Sequence, residues 1–229
     1  MNNIAVFEGL AEPCVFDTAV RFGRDGHKVI AIVGENERDL AAKIRSEIEN
    51  ASVYRTDTSD ATRIGEILKD VGEKCGRIDY LVTAASAHDD QVDVDGISDD
   101  YNSILATIDR NVTPFRVLVE AAHDLMTESE IRRIAVLSDK EASVRECSKT
   151  GDFGYQMSRA SINMALKIFF NRYRPEGFTF RCFAAGAEGG LTPYNYIIRN
   201  LCFDPKEPYI HSDENRLCFR DGFYREYAW

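Results

Sequence analysis

The sequence predicts an α/β fold, a doubly wound parallel sheet of about six or seven strands with helices on both faces. Three observations lead there. Short, β-branched apolar runs alternate with longer stretches of helical periodicity, the pattern of strands buried on both faces and joined through covering helices. With 229 residues and 44% hydrophobic content, the chain can bury one substantial core. No internal repeat, low-complexity tract or linker divides it, so one domain over residues 1–229 is expected, with 1–190 as its core and 191–229 as a C-terminal segment.

The strands read in order as Ile4–Phe7, Val29–Val33, a weaker Ser52–Tyr54, Ile78–Val82, Ile134–Leu137 and Phe178–Phe183, with Leu217–Arg220 as a further candidate. Between them, Leu40, Ile44 and Ile48 stand four apart and make one apolar helix face; Ile64, Leu68 and Val71 make another. Two longer helices are expected over Asp99–Met126 and Tyr155–Tyr173, the first kinked at Pro114, where a backbone donor is missing. Tyr194–Leu201 reads as a short helix after the glycine-rich segment Gly186–Gly190. In a sheet of this kind ligands bind beyond the carboxyl ends of the strands, where the winding direction switches. The segments after strands one, four, five and six are therefore the ones to search.

A formal net charge of -10 argues against nucleic acid or an anionic membrane as partner, since both require a positive surface potential. The six cysteines form no CxxC pair and no zinc spacing, and they read as reduced thiols. The four histidines, His27, His88, His123 and His211, also lack metal-ligand spacing and read as surface or satisfied structural residues. Asp89, Asp90, Asp93 and Asp95 lack the glycine and terminal glutamate of a calcium loop and read as a solvated flap. No signal segment and no apolar run long enough to span a bilayer is present, so a cytoplasmic protein is expected. The aromatic tail Phe223–Trp229 is too apolar for a free terminus and should pack on the body or a neighbouring subunit.

At the strand ends five short pieces stand in a recognisable order. They are IDYLVTAAS (Ile78–Ser86), RTDTSD (Arg55–Asp60), NVTPF (Asn111–Phe115), GYQMSRAS (Gly154–Ser161), and RCFAAG (Arg181–Gly186) followed by Thr192 and Pro193. Together, over roughly Ile4–Pro193, they resemble the short-chain dehydrogenase/reductase family and its Rossmann-like fold. The resemblance implies an NAD(P)-binding oxidoreductase acting on a hydroxyl or carbonyl of a small polar molecule, assembled as a homodimer or homotetramer. It places Tyr155 as general acid or base and Arg159 where the family carries lysine. Asn111 falls at the catalytic-helix asparagine. The orienting serine is open between Ser138, Asp139 and Ser143, with Ser138 taken first. Gly9, Asp57, Thr58, Ala84, Ala85, Gly186 and Thr192 fall at cofactor-contacting positions.

The departures are as informative. Where the family has its glycine-rich phosphate loop, this chain reads EGLAEPCV: Gly9 survives, and Pro13 and Val15 take the other two glycine positions. Glycines let a dinucleotide approach bare backbone and accept bonds from free amides at a helix N-terminus. Proline has no amide, valine adds a branched side chain, and Glu8 and Glu12 place negative charge beside a pyrophosphate. Weakened or lost cofactor binding follows as an expectation, with NAD(H) favoured over NADP(H) because Glu35 follows Gly34 at the end of strand two. Arg159 keeps the positive charge one helical turn from Tyr155, which should favour phenolate. Asp57 also reads as a loop or helix-capping acid, with Ser59 the competing cap. Two other readings stay open: a non-catalytic binding or assembly protein, and cofactor-independent chemistry resembling halohydrin dehalogenases, which use Ser, Tyr and Arg on this fold.

Overall fold

A computed structural model describes residues 2–84, 101–185, 217–220 and 226–229. Seven strands form one sheet: β1 (Ile4–Phe7), β2 (Lys28–Gly34), β3 (Ala51–Thr56), β4 (Tyr80–Ala84), β5 (Arg133–Asp139), β6 (Thr179–Ala185) and β7 (Phe219–Arg220). Their order is β3-β2-β1-β4-β5-β6-β7 and every neighbouring pair is parallel. The chain winds outward from β1 through β2 to β3, then crosses back to place β4 on the other side of β1. The switch point therefore lies between the carboxyl ends of β1 and β4.

Alternation along each strand divides the interior into two cores. Ile4 and Val6 of β1, Ile30 and Ile32 of β2, Leu81 of β4 and Ile134 and Val136 of β5 face the side covered by α3 (Ala61–Cys75), α4 (Tyr101–Thr127) and α5 (Phe153–Tyr173). Ala5, Phe7, Val29, Ala31, Val33, Tyr80, Val82, Ala135 and Leu137 face the side covered by α1 (Pro13–Arg24) and α2 (Arg38–Glu47). The expected helix faces are the buried ones: Ile44 and Ile48 lie in the second core, and Ile64, Leu68 and Val71 in the first.

Several boundaries differ from the sequence reading, each for a local reason. β4 starts at Tyr80 rather than Ile78, because the preceding Asp79 is a buried knot. Its carboxylate accepts from Ile4 N at 2.7 Å, Arg77 Nε at 2.9 Å and Ser129 Oγ at 2.6 Å. β3 is longer than its three expected residues but only half-buried, as suits an edge strand. Pro114 lies inside α4 without ending it. The cap of α3 is Asp60, whose carboxylate accepts from Thr62 N at 2.9 Å and Arg63 N at 3.1 Å, so neither Asp57 nor Ser59 fills that role. The expected last strand shortens to Phe219–Arg220, with Leu217 and Cys218 buried just before it. The described end of the aromatic tail, 226–229, packs on the body: Tyr227 N donates to Phe219 O at 2.8 Å, and the Trp229 ring centroid lies 5.6 Å from that of Phe219. The expected helix Tyr194–Leu201 and the acidic flap around Asp89 lie outside the described residues.

Candidate functional site

Gly9 follows β1 with φ of +73°, a left-handed backbone that glycine adopts without strain. A Cβ there would stand 2.5 Å from the Ala84 carbonyl oxygen and 2.8 Å from its nitrogen. The surviving glycine is thus required by the close approach of the β1 end to the β4 end, and Ala84 packs beneath it. The turn then uses its own amides: Glu12 N donates to Gly9 O at 3.0 Å, and Val15 N and Phe16 N donate to Glu12 O at 3.0 and 3.1 Å. Pro13 opens α1 and has no amide to offer. Cys14 sits in that first turn, but burial, with the charges of Glu12 and Asp17, pushes its thiol up to about 12. The helix N-terminus does not make it a thiolate.

Beside this turn a cleft of about 480 Å³ opens across the ends of β1, β2 and β3 and reaches α4. Ile32, Val33, Ala11 and Pro114 supply apolar wall, while Glu8, Glu35, Glu37 and Asp57 supply carboxyl groups and Arg110 a guanidinium. Each acid is positioned from its own element. Glu37, at the start of α2, accepts from Gly34 N at 2.7 Å. Asp57 accepts from Ser59 N at 2.9 Å and Ser59 Oγ at 2.7 Å, and those bonds hold its carboxyl below the usual carboxylate range. Glu8, extending β1, receives a short hydrogen bond from the Thr83 hydroxyl of β4. Burial is the largest influence on Glu8, and together with the charge of Glu37 it overrides the bonds from Thr83 and the Gly9 backbone, raising the carboxyl to about 7.

Across the β1–β4 switch, α5 carries the second cluster. The Arg159 guanidinium carbon lies 4.4 Å from the centroid of the Tyr155 ring, and a short hydrogen bond joins Arg159 Nη2 to the Tyr155 hydroxyl. One helical turn separates them, so the backbone alone brings them together. Asn111, buried on α4, donates through Nδ2 to Ser158 Oγ at 2.9 Å, and Ser158 donates to Tyr155 O at 2.7 Å. That chain fixes the turn of α5 that presents the phenol. Asp139, at the end of β5, places Oδ2 3.9 Å from Arg159 Nη1.

The phenol does not behave as its cation alone would dictate. Burial is the dominant influence and raises Tyr155 above the ordinary phenol value near 10; Arg159 pulls it down, while Glu12 and Asp139 push it up again. Tyr155 is therefore protonated at neutral pH, a correction to the expectation of a favoured phenolate. The expectation counted Arg159 and missed the burial of the phenol together with two acidic neighbours, one brought from the α1 turn and one from β5.

Of the three alternatives for the orienting position, Asp139 is the one beside Arg159. Ser138 is buried, its Oγ without a hydrogen-bond partner among the described residues. Ser143 Oγ is occupied as acceptor for Glu146 N at 3.2 Å. Gly9, Asp57 and Thr58 line the cleft; Ala85, Gly186 and Thr192 lie outside the described residues. Sequence reasoning missed Glu37, Thr83, Arg110 and Ser158. Glu37 was signalled by its place three residues after Gly34, in reach of that amide across one turn, whereas Thr83 and Arg110 meet the cleft only through the sheet order and the approach of α4. Among the described residues no group of three or more His, Cys, Asp or Glu side chains could hold a metal, and no helix is long and apolar enough to cross a membrane.

Comparison with curated protein sequences gives no match. The fold is shared with a candidate short-chain alcohol dehydrogenase from Burkholderia multivorans, at TM-score 0.75 and 16% identity over 100% of both chains. It is shared too with a short chain dehydrogenase from Salmonella enterica serovar Typhi, at TM-score 0.74 and 15% identity over 97% of this chain and 96% of that one. An NADPH-dependent reductase involved in bacilysin biosynthesis gives TM-score 0.66 and 17% identity over 80% of this chain and 77% of that one. The family model for short chain dehydrogenases matches residues 4–187, a span that holds the cleft beside Gly9, the Tyr155–Arg159 pair and Asn111, and the chain belongs to the short-chain dehydrogenase family.

Proposed function

We propose that the chain reduces a carbonyl on a small polar molecule, with Tyr155 delivering the proton to the substrate oxygen and Arg159 holding the phenol in place. The observation that carries this reading is the stacked, hydrogen-bonded Tyr155–Arg159 pair with a phenol that keeps its proton at neutral pH. A protonated phenol is an acid and a hydrogen-bond donor, which is what an oxygen gaining electron density requires. Asp139 balances Arg159 and keeps the guanidinium from drawing the proton off too early. Asn111 acts at one remove, through Ser158, on the turn that carries Tyr155.

The family usually binds a nicotinamide dinucleotide, which when bound supplies the hydride. The residues fit its nucleoside half: the cleft has ligand-pocket size, apolar wall for a base, and carboxylates to accept from ribose hydroxyls. Glu35, Glu37 and Asp57 oppose a 2′-phosphate, so NAD(H) is favoured over NADP(H). The engaged amides of the α1 turn weaken the pyrophosphate grip, and they are the observation that favours a second reading, a family member kept for binding without turnover. Halohydrin-type chemistry finds less support, because Glu12 and Asp139 beside the Tyr155–Arg159 pair oppose a departing anion.

Titration calorimetry with NADH and NADPH, followed by NADH oxidation in the presence of small aldehydes and ketones, tests the reading. NADH binding and turnover that falls at least about a hundredfold in Tyr155→Phe are expected. Binding without turnover of any carbonyl favours the second reading, and unchanged turnover in Tyr155→Phe refutes the assignment of the acid.

A further inference from the structure

We propose that Glu8 is a proton-carrying ligand for the dinucleotide: its protonated carboxyl donates to a phosphate oxygen in place of the amide that Pro13 lacks, and its ionised form repels that phosphate. This rests on the NAD(H) reading above and adds the condition under which such binding occurs.

The geometry comes first. Glu8 stands at the end of β1, directly before Gly9, and lines the cleft where the β1 turn meets α1. Two donors of a glycine loop are gone from that turn: Pro13 has no amide, and Val15 directs its own to Glu12 O. Thr83 donates to Oε2 of Glu8, so in the protonated acid we assign the proton, and its donation to the phosphate, to Oε1.

The surroundings make that proton easy to keep. Lining the same cleft as Glu8 are Glu37 from the start of α2, Glu35 from the end of β2, Asp57 from the end of β3 and Arg110 from α4, with Glu12 at the α1 turn. Glu37 interacts with it directly and unfavourably, and burial acts in the same direction, so the carboxyl titrates near neutrality. An ionised Glu8 would add a further negative charge to this wall, and a bound pyrophosphate two more. Dinucleotide binding must then take up a proton whenever Glu8 has lost its own.

The test is NADH binding by titration calorimetry between pH 6.0 and 8.5, with wild type, Glu8→Gln and a phosphate-free control, adenosine. For wild type, NADH affinity should fall on the order of tenfold to thirtyfold over that range, as one required proton is lost. At pH 8, titrations in buffers of different ionisation enthalpy should report uptake of about one proton per NADH. Glu8→Gln, which offers an amide donor at every pH, should bind with little pH dependence and no uptake. Adenosine should show no comparable slope. If NADH binds wild type with a flat profile and no proton uptake, or if adenosine shows the same slope, this inference fails while the NAD(H) reading stands. If neither protein binds NADH at any pH in the range, both fail. The proton-uptake measurement uses the wild-type protein alone, so a poorly folded variant does not remove the test.

Discussion

Replacing Gly9 by alanine should destabilise the protein severely, and for a reason unrelated to nucleotide binding. The native φ of +73° carries a strain of about 1 kcal/mol or more for any residue with a Cβ. The added carbon would also sit 2.5 Å from the Ala84 carbonyl oxygen and 2.8 Å from Ala84 N, both backbone atoms of a central strand that cannot rotate aside. Relief requires prising the β1 turn from β4, an overpacking penalty of about 1–3 kcal/mol. Together the loss is about 2–4 kcal/mol, or roughly a 10 °C fall in Tm for a chain of this size. Gly26→Ala is the matched control: φ is +83°, but a Cβ there meets nothing within 4 Å, so only the conformational part, about 1 kcal/mol, is expected. Urea denaturation of the three proteins compares the two glycines. A Gly9→Ala loss equal to that of Gly26→Ala would refute the argument that packing against Ala84, and not ligand approach, retains this glycine.

The raised Glu8 carboxyl has a stability signature of its own. Its folded value of about 7 lies above the ordinary 4.5, so the stability it contributes is complete below pH 4.5 and is lost as pH rises to about 7, a change of at most about 3 kcal/mol. Glu8→Gln should therefore gain on wild type as the pH moves from 4.5 to 8, and parallel denaturation profiles would show that the carboxyl is not perturbed. For turnover, the acid form of Tyr155 is lost only as pH rises through a value above 10, so kcat should show no alkaline break attributable to the phenol at neutral pH. A break near pH 7 that persists in Glu8→Gln would count against Tyr155 as the proton donor. On α5, Met157, Met164 and Ile168 share one face at 50%, 63% and 59% exposure, which suits contact with a second copy. Met164→Glu with Ile168→Glu should convert an oligomer to monomer in sedimentation or light scattering, and an unchanged mass would place any interface elsewhere.

The sequence by itself determined the parallel sheet, because β-branched runs such as Val29–Val33 and Ile134–Leu137 have apolar side chains on both faces and so demand cover on both. It also determined the Tyr155–Arg159 contact and the loss of the glycine loop, since a helical turn and a missing amide are local properties of the chain. Strand limits were less legible: the knot at Asp79 that delays β4 draws on Ile4 and Ser129, far away in the sequence. Only the tertiary structure decided how the site is charged. Asp139, not Ser138, meets Arg159; Glu12 comes within reach of Tyr155; and Glu8 finds Thr83 and Glu37, from two other elements. Electrostatic character depends on distances through a partly buried space, and those distances follow from strand order and helix placement, which no single stretch of sequence contains.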